Sequence, residues 1–151
     1  MPLNTFNPKY QETQTKKLEK QIDRFQQLLK AFASREIPEP VLNSINEEVG
    51  KVNKAESKSL LTAQLSKSFQ NILKIAEKEL NLVAKNHYRN TWLAIGMSAF
   101  GIPLGLVFSS ILNNYGFIGV GLPIGMGIGI AIGSKKDKQA LDEDRQLNVE
   151  I

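Results

Sequence analysis

Cysteine is absent from this 151-residue chain, which excludes disulfide frameworks and thiolate metal sites. The single histidine, His87, cannot build a multi-histidine centre by itself. Lysines are interleaved with glutamates rather than with aromatics, which make up only 7% of the residues; that reads as a solvated face and predicts no nucleic-acid partner. No glycine-rich phosphate loop, no acid–base pair at a motif spacing and no Gly-x-Ser-x-Gly elbow occurs. No catalytic residue, metal or cofactor is therefore expected, and the chain reads as a non-enzyme. Residues 1–30 lack the apolar run of a secretory signal, so the N-terminal part is expected to stay on the side where it is made.

The deciding shortage is of charge. Between Arg89 and Lys135 lie 45 consecutive residues with no charged side chain. One helical crossing of a bilayer needs about 20 residues, so this run predicts two, a transmembrane hairpin from about Thr91 to Gly133. Asn113-Asn114-Tyr115 is the candidate turn. Lys85, His87 and Arg89 flank the start and Lys135, Lys136 and Lys138 flank the end, whereas the turn is uncharged. By the positive-inside rule both termini are expected on the cytoplasmic side of the inner membrane. The formal charge of +4 is unevenly spread, with 15 basic against 10 acidic residues in 1–90 and 4 against 5 from Lys135 onward.

What precedes the hairpin is patterned for helices, and the fold class is predicted all-α. From about Tyr10 to Ser34, Leu18, Ile22, Phe25, Leu29 and Phe32 recur at alternating spacings of four and three, one stripe of an amphipathic helix. Pro38 and Pro40 separate it from a short helix with Val41, Leu42, Ile45, Val49 and Val52 on its apolar face. A third stripe begins near Ser57 and runs through Leu61, Leu65, Phe69, Ile72, Ala76, Leu80 and Val83. With no proline or glycine before Gly96, it is expected to continue into the membrane as one helix to Leu112, about 84 Å long at 1.5 Å per residue. The stripes fit a three-helix bundle, or else coiled-coil seams between copies. The segments are then a cytoplasmic helical domain (1–90), the hairpin (91–134) and a charged cytoplasmic tail (135–151), helical or irregular, whose end carries Val149 and Ile151.

Within the hairpin, Gly121, Gly125, Gly129 and Gly133 recur every four residues, the small-xxx-small pattern that lets helices approach closely in lipid. Gly119, Pro123, Gly127 and Ala131 form a second small stripe about 200° around the helix. Alternation of glycine with large apolar residues also fits a strand, but a lone strand in lipid would leave its backbone unpaired. Gly101, Gly105 and Ser109, also spaced by four, suit the first helix to one small stripe, leaving the other free for a second protomer. Gly101 to Gly105 and Gly121 to Gly125 mirror each other about Asn113, placing Pro103 and Pro123 at one depth as matched kinks, for packing or as a hinge in an oligomeric pathway.

The stretch Gly121–Gly133 resembles glycine-zipper segments of bacterial membrane proteins, including pore subunits. That resemblance implies close packing and homo-oligomers within a lipid bilayer. The leading expectation is a homo-oligomeric membrane protein acting as a channel or membrane-perturbing effector. Its competitors are a membrane-anchored adaptor or immunity-type protein with a cytoplasmic protein partner, and a holin-like protein. No ionisable residue lies inside the crossings, which argues against a proton relay or coupled transporter.

Overall fold

Three amphipathic helices follow the stripes read from the sequence: α1 (Lys16–Ala33), α2 (Glu39–Asn53) and α3 (Lys58–Leu80). In this computed structural model, which describes residues 2–10 and 15–150, the chain forms two compact units. Of the described residues, the first comprises those up to Ala84 together with 147–150, and the second comprises 85–146. These boundaries differ from a division by charge at 90 and 134.

In the first unit the α1 residues Leu18, Ile22, Phe25, Leu28, Leu29 and Phe32 are all buried, against Val41, Ile45, Val49 and Val52 of α2 and Leu61, Leu65, Ile72 and Ala76 of α3. The apolar stripes thus meet one another within a single chain. Helix α1 starts at Lys16; of the earlier start expected for it, Tyr10 lies in an irregular arm and 11–14 fall outside the described residues. Pro40 stands in the first turn of α2, where its missing N–H costs nothing. Ser57 caps α3 by accepting a hydrogen bond from the Leu60 amide.

The expected continuous helix from Ser57 to Leu112 does not form. Helix α3 ends at Leu80 because Asn81 adopts the left-handed conformation, φ 55°, and the Leu82 amide turns back to the Ala76 carbonyl at 3.0 Å. Asparagine enters that region readily and so ends a helix without glycine. A short strand, β1 (Val83–Lys85), follows and pairs with β2 (Gln146–Glu150), so the regular structure among the described residues is helical apart from one two-stranded sheet, which the all-α expectation did not include. Leu147 and Val149 of β2 are buried in the first unit's core, while Ile151 lies outside the described residues.

The second unit is a helical hairpin. Its first arm is α4 (His87–Gly96), one π-helical turn (Met97–Gly101) and α5 (Ile102–Ile111); its second is a 3₁₀ turn (Tyr115–Phe117) and α6 (Ile118–Asp142). Both arms, His87–Ile111 and Tyr115–Asp142, are long and apolar enough to cross a membrane. Helix α6 continues unbroken past Lys135 to Asp142, and Asp144 at φ 53° then turns the chain into β2.

Candidate functional site: the small-residue seam of the hairpin

The turn is built from two asparagines. Asn113 takes φ 46°, and the Asn114 side chain accepts a hydrogen bond from the Gly116 amide at 2.9 Å. Reversal there sets the two arms antiparallel.

All four members of the every-four stripe on α6 turn inward. A Cβ on Gly121 would stand 2.7 Å from Gly105 Cα, one on Gly125 2.6 Å from Gly101 Cα, one on Gly129 2.8 Å from the Trp92 carbonyl carbon, and one on Gly133 2.5 Å from Arg89 Cα. Each opposing atom is backbone, so no rotamer change could make room. None of the described glycines has positive φ. Glycine serves here by being thin, which lets two backbones touch and gain dispersion energy along their length.

The first arm answers with Gly96, Gly101, Gly105 and Ser109, all buried. The interval between Gly96 and Gly101 is five, and the π-helical turn lies there. Its extra residue rotates the helix so that Gly96, rather than Met97, continues the inward row. The sequence stripe stopped at Gly101 because a strict period of four leads to Met97. Pro103 stands just after the π-turn, in the first turn of α5, and Pro123 lies within α6. The two prolines sit between the matched pairs Gly101–Gly125 and Gly105–Gly121, and so share a level.

Gly119 and Gly127 face the other way, with nothing within 4 Å of where a Cβ would stand. The hairpin also exposes large apolar side chains on both arms, including Ile102, Leu106, Val107, Ile111, Val120 and Ile124.

The inward stripe has a fifth member that sequence reasoning missed. Four residues beyond Gly133, Asp137 is buried, and its two carboxylate oxygens accept hydrogen bonds from the Tyr88 and Arg89 amides at 3.0 and 2.9 Å. These are first-turn donors of α4, whose own N-cap residue, Asn86, supplies no side-chain bond. The spacing of 121, 125, 129, 133 and 137 was the signal that could have found it. Beside the cap, the Lys136 ammonium lies 5.6 Å from the Trp92 ring centroid and 6.0 Å from that of Tyr88, within cation–π range. Arg145 pairs with Glu143, and that carboxylate together with the Tyr88 hydroxyl raises the guanidinium pKa. Among the described residues no three His, Cys, Asp or Glu side chains are grouped to hold a metal ion.

Comparison of the chain with protein-family models, with curated proteins and with solved structures finds no match.

Proposed function

We propose that this chain is a non-catalytic, membrane-anchored adaptor, in which the hairpin crosses the inner membrane twice and holds the helical unit on the cytoplasmic side to bind a partner protein. The observation that carries this reading is that the every-four glycine stripe is occupied inside the chain, helix against helix. The strongest small-residue signal is thereby consumed in closing an anchor. The exterior left to lipid is predominantly apolar, with no Asp, Glu, Lys, Arg or His between Asn90 and Ser134 to line a polar path. Lys85, Arg89, Lys135, Lys136 and Lys138 at the open end, against an uncharged turn, favour that end as cytoplasmic.

The lack of native cysteine makes the test direct. In oriented inner-membrane vesicles, Tyr115→Cys should react with a membrane-impermeant maleimide from one face, and Lys74→Cys and Lys138→Cys from the opposite face. Labelling of all three from one face would overturn the reading.

One observation favours a second reading, a homo-oligomer with pore-forming or membrane-perturbing activity: Gly119 and Gly127 leave a thin apolar strip unfilled on the outside of α6. Gly127→Cys should form a disulfide-linked dimer in native membranes if this strip seats a second copy. A chain that stays monomeric under oxidation leaves the anchor reading alone.

A further inference from the structure

The arm formed by residues 2–10 lies against α2 without regular secondary structure, and is held there by a repeated device. Asn46 accepts a hydrogen bond from the Asn4 amide at 2.7 Å and donates to the Pro2 carbonyl at 3.1 Å. Asn53, two helical turns later, accepts from the Asn7 amide at 2.8 Å and donates to the Thr5 carbonyl at 2.9 Å. The Lys9 amide then reaches the Asn53 carbonyl at 3.1 Å.

Seven residues of α-helix rise about 10.5 Å. Three residues of chain span about that distance only when extended, at roughly 3.5 Å each. The arm is therefore close to fully extended between Asn4 and Asn7, and runs in the same direction as α2. Seven residues also return to the same helix face within about 20°, so both asparagines point at one line of chain.

The four asparagine bonds all go to main-chain atoms, so they recognise an extended backbone whatever its side chains. Selectivity comes from the arm's side chains, of which Asn4 donates to the Asn46 carbonyl at 3.4 Å. Phe6 lies against Phe25 of α1 with ring centroids 5.5 Å apart, Leu3 packs on the core, and the Lys9 ammonium pairs with Glu56 at 2.8 Å. Toward α1 the fit is incomplete. An open cavity of about 360 Å³ remains there, bounded by Leu3 and Phe6 of the arm and by Gln26, Leu29, Lys30 and Ala33 of α1.

We propose that the α2 face bearing Asn46 and Asn53 is a docking groove for an extended peptide segment of a partner protein, with residues 2–10 as its resident occupant in cis. The resident gives the chemistry of the ligand: a large apolar residue, an aromatic three positions later and a basic residue three beyond that. A partner whose apolar residue exceeds leucine fills the cavity and displaces the arm. This deepens the adaptor reading by naming its partner class, but it is tested in detergent and does not depend on which way the hairpin crosses.

Two forms of the full chain open the groove, one lacking residues 2–10 and one with a protease site inserted between Tyr10 and Thr15 and cut after folding. A fluorescent peptide of sequence PLNTFNPKY should bind both. Binding to the intact chain should be at least about tenfold weaker, because a tethered competitor acts at roughly millimolar effective concentration. N-methylating the peptide amides equivalent to Asn4 and Asn7 removes two donors without touching the protein, and should weaken binding by about tenfold or more. A tryptophan in place of the peptide's leucine should bind more tightly. The proposal is overturned if neither opened chain takes up the peptide, or if N-methylation leaves affinity unchanged. An intact chain that is dimeric, and becomes monomeric on arm deletion, would overturn the partner assignment in favour of a second copy.

Discussion

Asn81, Asn86, Asn113 and Asp144 hold the positive φ angles found among non-glycine residues of the described chain, and each stands where a helix stops, starts or turns back. Asparagine and aspartate tolerate that region because their short polar side chains hydrogen-bond locally. A second use of polar residues is burial with full satisfaction. Glu48 of α2 is only 6% exposed, yet Lys51 reaches it at 2.6 Å and the Ser68 hydroxyl at 2.7 Å. Burial pushes its carboxyl pKa up, but hydrogen bonds from Lys51, Ser68 and Asn71 outweigh burial and hold it below the usual range. A folded pKa below the unfolded value of about 4.3 means that the folded state binds fewer protons, so the stabilisation is present above that pH and is lost as pH falls through the folded value. Thermal unfolding followed by far-UV circular dichroism in detergent should therefore show Glu48→Gln less stable than the parent at pH 7, with the difference shrinking toward pH 3. An unchanged difference across that range would remove Glu48 from the acid response. Asp137 acts at the same scale. Replacing it with alanine should cost about 0.5–2 kcal/mol through the lost cap, and should speed hydrogen exchange at the Tyr88 and Arg89 amides more than elsewhere in α4.

Between elements, the seam of the hairpin depends on which side of α6 a glycine occupies. Gly125→Ala puts a methyl 2.6 Å from Gly101 Cα, so the arms must separate; a cost of about 1–3 kcal/mol is expected from overpacking. Gly127→Ala meets nothing within 4 Å and should be neutral or stabilising by up to about 1 kcal/mol, since alanine is the better helix former. Unfolding of the hairpin by graded sodium dodecyl sulfate in mixed micelles measures both, and equal effects would contradict the seam. The stripes on both arms were legible in the sequence, and so was their antiparallel pairing, because an uncharged turn of a few residues leaves no other path. Gly96 was not legible, since the π-turn that brings it inward breaks the period of four that a sequence reader follows.

Across the whole molecule, the helices of each unit were legible from apolar periodicity, whereas the junctions between them were not. Extending the third stripe through Val83 into the membrane was reasonable by period alone. Two left-handed asparagines and a three-residue strand interrupt it instead. The far end of the chain behaves alike: Leu147 and Val149 alternate as a strand pattern would, but a five-residue strand gains meaning only once a second strand is present to pair with it. The asparagines of α2 were similarly silent. No local pattern in the sequence singles out Asn46 and Asn53, and only the arm lying along them gives the interval of seven a purpose.

The amino-acid sequence by itself determined the two apolar spans, the turn between them, the glycine stripe and the amphipathic faces of three helices. Each of these follows from residue type at a fixed local spacing, and the physics of helices and lipid acts over such spacings. The tertiary structure alone decided which glycine stripe is spent within the chain, that Asp137 caps the neighbouring helix, that two short strands pair, and that an extended arm occupies α2. These rest on contacts between residues far apart in sequence, from Gly105 with Gly121 to β1 with β2, and only the folded chain brings them together.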